Sequence, residues 1–241
     1  MIVTLIASIY NESVILPYFI RHYQGIVDRF VFFDGMSTDG TREFIAALPN
    51  AVLHDSDTGG RIDDGVNIEI KNTAYRRYPD SDWFIVVDSD EFLYHADLRR
   101  LLAEYDQRGV TISQCEGWDM IGDGLEGIPE DARLTDWIRF GVRNSAHMDK
   151  CALFKPCVSP QFVPGAHACD PAGRVVTAQY DVHLLHYKYL SLEWVQHKAA
   201  TCQLSENNHR HEWGYMAPGV LNKDTWVDYY KQARERRIKI I

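Results

Sequence analysis

The sequence predicts an α/β fold built on a mostly parallel central sheet that helices flank. Apolar runs of strand length alternate, in the first half of the chain, with amphipathic stretches of helical length, which is the pattern of βαβ units. The strongest runs show no polar alternation, as expected for strands that are covered on both faces. The runs are Ile2–Ile9, Phe30–Phe33 and Trp83–Val87, with a weaker one at Ala51–Leu53.

Each strong run ends in polar residues. Tyr10, Asn11 and Glu12 follow the first run, Asp34 follows the second, and the segment Asp88–Asp90 follows the third. Because the carboxyl ends of parallel strands meet at one edge of a sheet, we expect these groups to gather there. Open α/β sheets bind their ligands along that edge.

The third strong run stops on two carboxylates, Asp88 and Asp90, with Ser89 between them. Oxygen-bearing side chains at a strand end can hold a hard divalent cation and leave positions open for substrate phosphates. A short acidic pair taken alone more often caps a helix or faces solvent. The rest of the N-terminal half favours the metal-assisted interpretation.

The segment DGMSTDGT, residues 34–41, predicts a loop followed by the start of a helix. Ser37, Thr38 and Asp39 are capping residues, and Gly40 permits a tight backbone turn. Taken alone, this segment is an N-cap and nothing more.

An opening strand that ends in YNE, the pattern D-x-x-S-x-D-G-T, and an apolar strand that runs into D-x-D-E-F together resemble a family 2-type glycosyltransferase with the GT-A fold. The resemblance is strong over about residues 1–110. Further along, PGAHAC (Pro164–Cys169) and LLHYKYLS (Leu184–Ser191) resemble the later blocks of a bacterial subgroup of these enzymes. No G-x-G-x-x-G fingerprint follows the first strand, which counts against an oxidoreductase.

The resemblance implies a metal-dependent, inverting enzyme that moves a sugar from a nucleoside diphosphate sugar, a UDP- or GDP-sugar, to a saccharide or lipid-linked acceptor. The implied pathway is cell-envelope polysaccharide synthesis. We expect one domain over residues 1–241, with a nucleotide-sugar-binding half (1–110) and an acceptor-side half (111–241) that ends in a helical tail.

Site residues follow from the same resemblance, position by position. Tyr10, Asn11 and Glu12 would lie near the nucleotide, and Asp34 and Asp39 would contact its base or ribose.

Asp88, with Ser89 beside it, and Asp90 would hold the ribose and the metal ion, Mn²⁺ or Mg²⁺, that bridges the diphosphate. His186 would complete the metal shell. Such an ion stabilises the negative charge that develops on a diphosphate leaving group. Further cations for the phosphates would be Lys71, Lys150 and Lys188, each of which is alternatively a solvated surface charge.

An inverting transferase also needs a general base for the acceptor hydroxyl. The Glu-Asp pair usual in this family is not visible in the second half. The candidates are Asp119, Asp123 and His167, of which Asp119 is favoured because a loop after the strand-like run Val110–Cys115 would face the sugar. The alternative for each acid is a loop carboxylate that bonds its own turn.

Two other classes of function stay open. A nucleotidyltransferase or a haloacid-dehalogenase-type phosphatase also places acids after strands, but the phosphatase pattern ends in Thr or Val where this chain has Phe92. A noncatalytic sugar-nucleotide or glycan-binding module would explain the absent base pair.

Composition limits the classes of protein and the cellular compartment that we expect. The 241 residues are 46% hydrophobic, enough for one α/β domain, and the five cysteines show no metal or disulfide spacing. A net charge of −9 makes a nucleic-acid binder improbable. With no signal peptide before the first strand and no run long enough to span a bilayer, we expect a cytoplasmic protein.

Three segments of the second half carry weaker predictions. The basic stretch Tyr229–Ile241 is expected to be either a plain terminal helix or a contact with the inner face of an anionic membrane. Residues 125–146, which include the helix-like stretch LTDWIRF, are expected to form a mobile acceptor-side loop and lid. His209 and His211 are expected to lie in a polar loop.

Overall fold

In the computed structural model of the protein, the structure describes residues 1–59, 61, 63–201 and 223–241. His209 and His211 lie outside this part of the chain. The described residues form a ten-stranded sheet with helices packed on both faces, together with a separate two-stranded ribbon.

The strands are β1 (Val3–Ile9), β2 (Arg29–Asp34), β3 (Ala51–Asp55), β4 (Trp83–Val86), β5 (Glu91–Tyr94), β6 (Ile112–Ile121), β7 (Phe140–Arg143), β8 (Leu153–Phe154), β9 (Val158–Ser159), β10 (Ala172–Gly173), β11 (Thr177–Tyr189) and β12 (Ile238–Lys239). The helices are α1 (Leu16–Tyr23), α2 (Thr41–Ala46), α3 (Asp64–Thr73), α4 (Leu98–Arg108), α5 (Leu134–Trp137), α6 (Leu192–Thr201) and α7 (Lys223–Arg236), with 3₁₀ turns at Ala74–Arg77 and Pro164–Ala166.

The sheet runs in the order β12-β7-β6-β8-β4-β1-β2-β3, and β11 pairs with both β6 and β5. The four strands β3, β2, β1 and β4 are parallel throughout, with Ile9 opposite Asp34 and Ile6 opposite Val86. Antiparallel strands β8, β7 and β12 extend the sheet on the other side. The predicted α/β fold with a parallel central sheet and flanking helices is confirmed.

The uninterrupted apolar runs follow from burial on both faces. On β1, Leu5 and Ala7 belong to the core beneath α1 and α4, while Ile6 points to a second core with α3 residues such as Ile70. A strand in this position gains from apolar side chains at every residue, because neither face meets water.

The second half departs from expectation in two places. The run predicted to end at Cys115 continues as strand β6 to Ile121. Within the predicted loop over residues 125–146, helix α5 lies in the helix-like stretch LTDWIRF as expected, whereas strand β7 was not expected. Both departures have the same cause, since β6 gains strand partners on both sides from distant parts of the chain.

The C-terminal helix α7 is docked on the sheet. Its buried residues Tyr230 and Ala233 share a core cluster with Ile121 of β6 and Tyr189 of β11. Among the described helices, none combines the length and the hydropathy needed to cross a bilayer.

Strand β5 depends on one buried hydroxyl. The Tyr23 side chain, which is fully buried, donates from its hydroxyl to the Glu91 carbonyl (3.0 Å) and accepts from the Leu93 backbone N–H (2.8 Å). The hydroxyl therefore satisfies two backbone groups on the strand that follows the acidic pair.

Tyr23→Phe should destabilise the fold by about 1–3 kcal/mol, because it leaves these two buried backbone groups without a partner. Urea unfolding measures the effect. Tyr10→Phe, at an exposed tyrosine, is the control and should change stability little. Equal stability of Tyr23→Phe and the wild type would contradict the role of the hydroxyl.

Candidate active site

A cleft of about 820 Å³ opens at the carboxyl ends of β1 and β4. Most of the residues predicted for the site line it, whereas Asp34 and Asp123 do not. The predicted residues that line the cleft are Tyr10, Asn11, Glu12, Asp39, Lys71, Asp88, Ser89, Asp90, Asp119, Lys150, His167, His186 and Lys188.

Hydrogen bonds from backbone N–H groups to side-chain oxygens join the first wall of the cleft. The Asn11 backbone N–H donates to the Ser37 hydroxyl (2.8 Å), and the Asn11 amide oxygen accepts from the Thr38 N–H (2.8 Å). Asp39 accepts from the Ser13 N–H (3.0 Å). The loops after β1 and β2 are thereby held together, and Asn11 takes a positive φ of 52°.

Asp34 lies beneath this wall. The carboxylate is fully buried, accepts from the Ser37 backbone N–H (3.0 Å) and forms an ion pair with Arg42, whose other nitrogen reaches Asp55 (2.7 Å). Asp34 was expected to contact the nucleotide, but here its oxygens hold the loop. Sequence reasoning missed Arg42, which no motif marks.

Asp88 is enclosed by cations. Its carboxylate lies 2.7 Å from the Lys71 ammonium and 3.8 Å from that of Lys150. Burial alone would raise the pKa of Asp88, but the two lysines outweigh it and lower that pKa. Lys150 also pairs with Glu91, and both side chains are almost wholly buried. Glu91, within the D-x-D-E-F motif, was not singled out by the sequence.

Asp90 faces His186. The Nε2 atom of His186 lies 3.6 Å from the Asp90 carboxylate, and its Nδ1 atom lies 2.7 Å from Asp119. Register explains the contact, because β11 places His186 opposite Asp119 of β6 and opposite Glu91 of β5. Burial lowers the pKa of His186, but Asp90 and Asp119 outweigh this and raise it to about 10.

Asp119 differs from the free loop carboxylate that the sequence predicted. It lies within β6 and is 1% exposed. Besides His186, it accepts from the Asn144 amide (2.8 Å) and the Tyr229 hydroxyl (2.7 Å). These bonds outweigh burial and lower its pKa. A carboxylate with three donors orients the histidine ring and has little capacity left to accept a proton.

The other two candidate bases are placed differently. Asp123 is exposed and pairs with Arg234 and Arg237 of the C-terminal segment, away from the cleft. His167 is in the cleft, where its Nδ1 lies 2.6 Å from the His147 carbonyl. Burial, followed by the nearby cations, lowers the pKa of His167 to about 4, so the ring is neutral at pH 7.

Glu12 is a cleft residue whose carboxylate is buried and has a raised pKa. One oxygen pairs with Lys198 of α6 (2.7 Å), and the other is buried with no hydrogen-bond partner among the described residues. Burial raises the pKa of Glu12 to about 7, and the proximity of Asp90 adds to this against the effect of Lys198. Lys198 is 186 residues away in the chain, so no sequence signal linked the two.

Aromatic side chains form the far wall of the cleft. The Lys188 ammonium lies 3.6 Å from the centre of the Trp226 ring, and that of Lys198 lies 5.0 Å from Trp194. Within the part of the chain that the structure describes, the buried Trp194 indole N–H has no hydrogen-bond partner. The cleft thus has a cationic end around Asp88 and an aromatic end around α6 and α7, which the sequence did not predict.

The side chains of the cleft provide part of the ligand set that a hard divalent cation needs. Asp90 and the Nε2 atom of His186 face each other, and Asp119 fixes the ring from its other nitrogen, as outer carboxylates do for metal-bound histidines. The Asp88 carboxylate pairs with Lys71 and Lys150 instead. Within the described residues, no three His, Cys, Asp or Glu side chains are gathered as a metal site, so substrate oxygens would have to supply the remaining ligands.

No protein-family model matches the chain, and no curated protein does. Among solved structures, S. aureus TarS is similar with a TM-score of 0.46 and 12% identity, over 96% of this chain and 43% of that one. TarS 1–349 gives a TM-score of 0.47 and 12% identity, over 98% of this chain and 74% of that one. Its complex with UDP-GlcNAc gives a TM-score of 0.44 and 12% identity, with the same coverage. At these values the likeness assigns no function.

Lys150→Met should destabilise the fold by about 3–5 kcal/mol, because it leaves the Glu91 carboxylate buried without its cation. The double variant Lys150→Met/Glu91→Leu should recover much of that loss. Lys155→Met, which breaks the more exposed pair with Asp106, is the control and should cost less than about 1 kcal/mol. Denaturant unfolding gives all three values; a double variant no better than the single one would refute the pairing.

Glu12→Gln should change how stability depends on pH. Because the folded pKa of Glu12 is about 7, against an ordinary value of 4.5, the folded protein holds a proton there that the unfolded chain releases. Wild-type stability should therefore fall, relative to Glu12→Gln, by up to about 3 kcal/mol as pH rises from 4.5 to 7. Urea unfolding across this range tests it. Glu104→Gln, at an exposed helical site, should follow the wild type.

Proposed function

We propose that this protein is a glycosyltransferase of the GT-A type, which moves a sugar from a nucleoside diphosphate sugar to a saccharide or lipid-linked acceptor in cell-envelope polysaccharide synthesis. The observation that carries the proposal is the pairing, in one cleft, of the Asp90–His186–Asp119 row with two buried lysines around Asp88. The cleft lies at the carboxyl edge of the parallel strands, where such folds bind nucleotides.

The donor occupies the cationic end of the cleft. Lys71 and Lys150 are both almost fully buried, so their charges are little screened by water. A diphosphate next to Asp88 would share these cations. Tyr10, Asn11 and Asp39 lie on the adjoining wall, where the nucleoside binds.

Asp90 and His186 would hold Mn²⁺ or Mg²⁺ between the protein and the diphosphate. The ion, when bound, supplies Lewis-acid stabilisation of the leaving group's charge. His186 must lose its Nε2 proton to serve as a ligand, because only the neutral ring binds metal. Asp119 holds the ring in place from Nδ1 and is therefore a positioning residue in this proposal.

Glu12 is the best-supported general base. Glu12 lines the cleft, and its pKa of about 7 suits proton uptake from a hydroxyl at neutral pH. The Lys198 ammonium that pairs with Glu12 lies 5.0 Å from the centre of the Trp194 ring, and the aromatic wall offers flat apolar faces to a saccharide ring. These features support a catalytic cleft over a noncatalytic binding module.

Asp90→Asn should abolish metal-dependent nucleotide binding. Thermal shift and calorimetry with UDP, GDP, CDP and dTDP, each with Mn²⁺, Mg²⁺ or EDTA, should show one nucleotide stabilising the wild type only with metal, since a ligand that binds the native state raises its stability. Asp123→Asn, a carboxylate outside the cleft, is the matched control and should keep the response. No response of the wild type to any nucleotide would overturn the proposal.

A further inference from the structure

Two cysteines lie together in the second half of the chain. The thiol of Cys151 donates a hydrogen bond to the sulfur of Cys169. Both side chains are half-buried and pack against the core that contains Phe154 and Phe162. The two cysteines are not close in the sequence and no motif pairs them, so only the fold brings their sulfur atoms into contact.

Cys169 lies at the base of a loop that lines the cleft. It forms an isolated antiparallel bridge with Phe162, and the Asp170 N–H donates to the Gln161 carbonyl (3.1 Å). These contacts close the loop over residues 161–170. The loop contributes Pro164, Gly165 and His167 to the wall of the cleft.

Cys151 lies next to the floor of the same cleft. It directly follows Lys150, which lines the cleft and whose ammonium pairs with the buried Glu91 carboxylate. The Lys150 carbonyl accepts from the Cys115 N–H (2.9 Å), which fixes this segment to β6. The contact between the two sulfur atoms therefore joins a cleft loop to a segment that the sheet holds in place.

The two thiols differ in reactivity. The Cys151 thiol and the Gln161 backbone N–H both donate to the Cys169 sulfur and lower the pKa of Cys169 against the opposing effect of burial. The hydrogen bond to Cys169, and then burial, raise the pKa of Cys151. Because the thiolate is the nucleophile in disulfide exchange, Cys169 reacts first and Cys151 is the thiol held beside it.

We propose that Cys151 and Cys169 are a redox modification site, at which a small-molecule disulfide such as glutathione disulfide converts the two thiols into a reversible disulfide bond. The Cys169 thiolate attacks one sulfur of the oxidant, and one glutathione leaves as its thiolate, which gives a mixed disulfide. Cys151 then loses its proton to water and attacks the Cys169 sulfur, and the second glutathione leaves. Two protein thiols are oxidised, and one glutathione disulfide is reduced to two glutathione molecules.

The pair has the arrangement of a redox sensor, in which a thiol of lowered pKa lies next to a resolving thiol. The sulfur atoms are already in contact, so bond formation needs little movement of either segment. The disulfide ties the loop over residues 161–170 to the segment after Lys150. One wall of the cleft is then fixed covalently to its floor.

Thiol counting on the full chain tests the proposal and needs no nucleotide, so its outcome is independent of the proposed transferase activity. The reduced protein is incubated with glutathione disulfide, and the remaining thiols are alkylated under denaturing conditions. Intact mass and peptide mapping then give the state of each cysteine. Two of the five thiols should be lost, as one bond between Cys151 and Cys169, and dithiothreitol should restore both.

Three variants separate the two thiols and control for the others. In Cys151→Ser, glutathione should stay attached to Cys169, because no resolving thiol removes it. In Cys169→Ser, Cys151 should take up at least about fivefold less glutathione than Cys169 does in the first variant, because little of its thiol is ionised. Cys157→Ser, which removes an exposed cysteine, is the matched control and should form the Cys151–Cys169 bond as the wild type does.

Each of three outcomes would overturn the proposal. They are retention of all five thiols by the wild type, a disulfide that maps to another pair of cysteines, and equal uptake of glutathione by the Cys151→Ser and Cys169→Ser variants. Unfolding midpoints of the reduced variants exclude a change of fold as the cause. The thiol count and the peptide map of the wild type test the bond without any variant.

Discussion

The need to pair buried charge organises the carboxyl edge of the sheet. Glu91 and Lys150 are both nearly inaccessible to water, and each is tolerable there only because the other is present. The same lysine approaches Asp88, which Lys71 neutralises from α3. These contacts join β4, β5, α3 and the segment before β8. The floor of the cleft is therefore a network of ion pairs that lies on an apolar sheet.

A second row of charges crosses the cleft from Asp90 through His186 to Asp119. It links the turn after β4 to β11 and β6, and Tyr229 joins it from α7. The C-terminal helix is therefore part of the site as well as part of the fold.

The predictions from sequence held where local pattern and burial agree. The runs that became β1, β2 and β4 were readable because strands covered on both faces are apolar at nearly every position. The weaker run became β3, which lies at the end of the sheet and is only half-buried. The polar residues after β1 and β4 reach one cleft because parallel strands end at one edge, whereas Asp34 at the end of β2 does not line it. The extent of β6 was misjudged, since Glu116 and Asp119 break the apolar pattern; neighbouring strands on both sides hold it extended.

The sequence by itself determined the α/β class, the order of the first strands and the presence of acids at their ends, because these depend on hydrophobic periodicity and short motifs. Only the tertiary structure decided which charged side chains pair with each other. Glu12 pairs with Lys198, which is 186 residues away in the chain. Asp34 pairs with Arg42, and Asp119 pairs with His186. Such pairings depend on strand register and on burial, and neither can be read from residues that are distant in the chain.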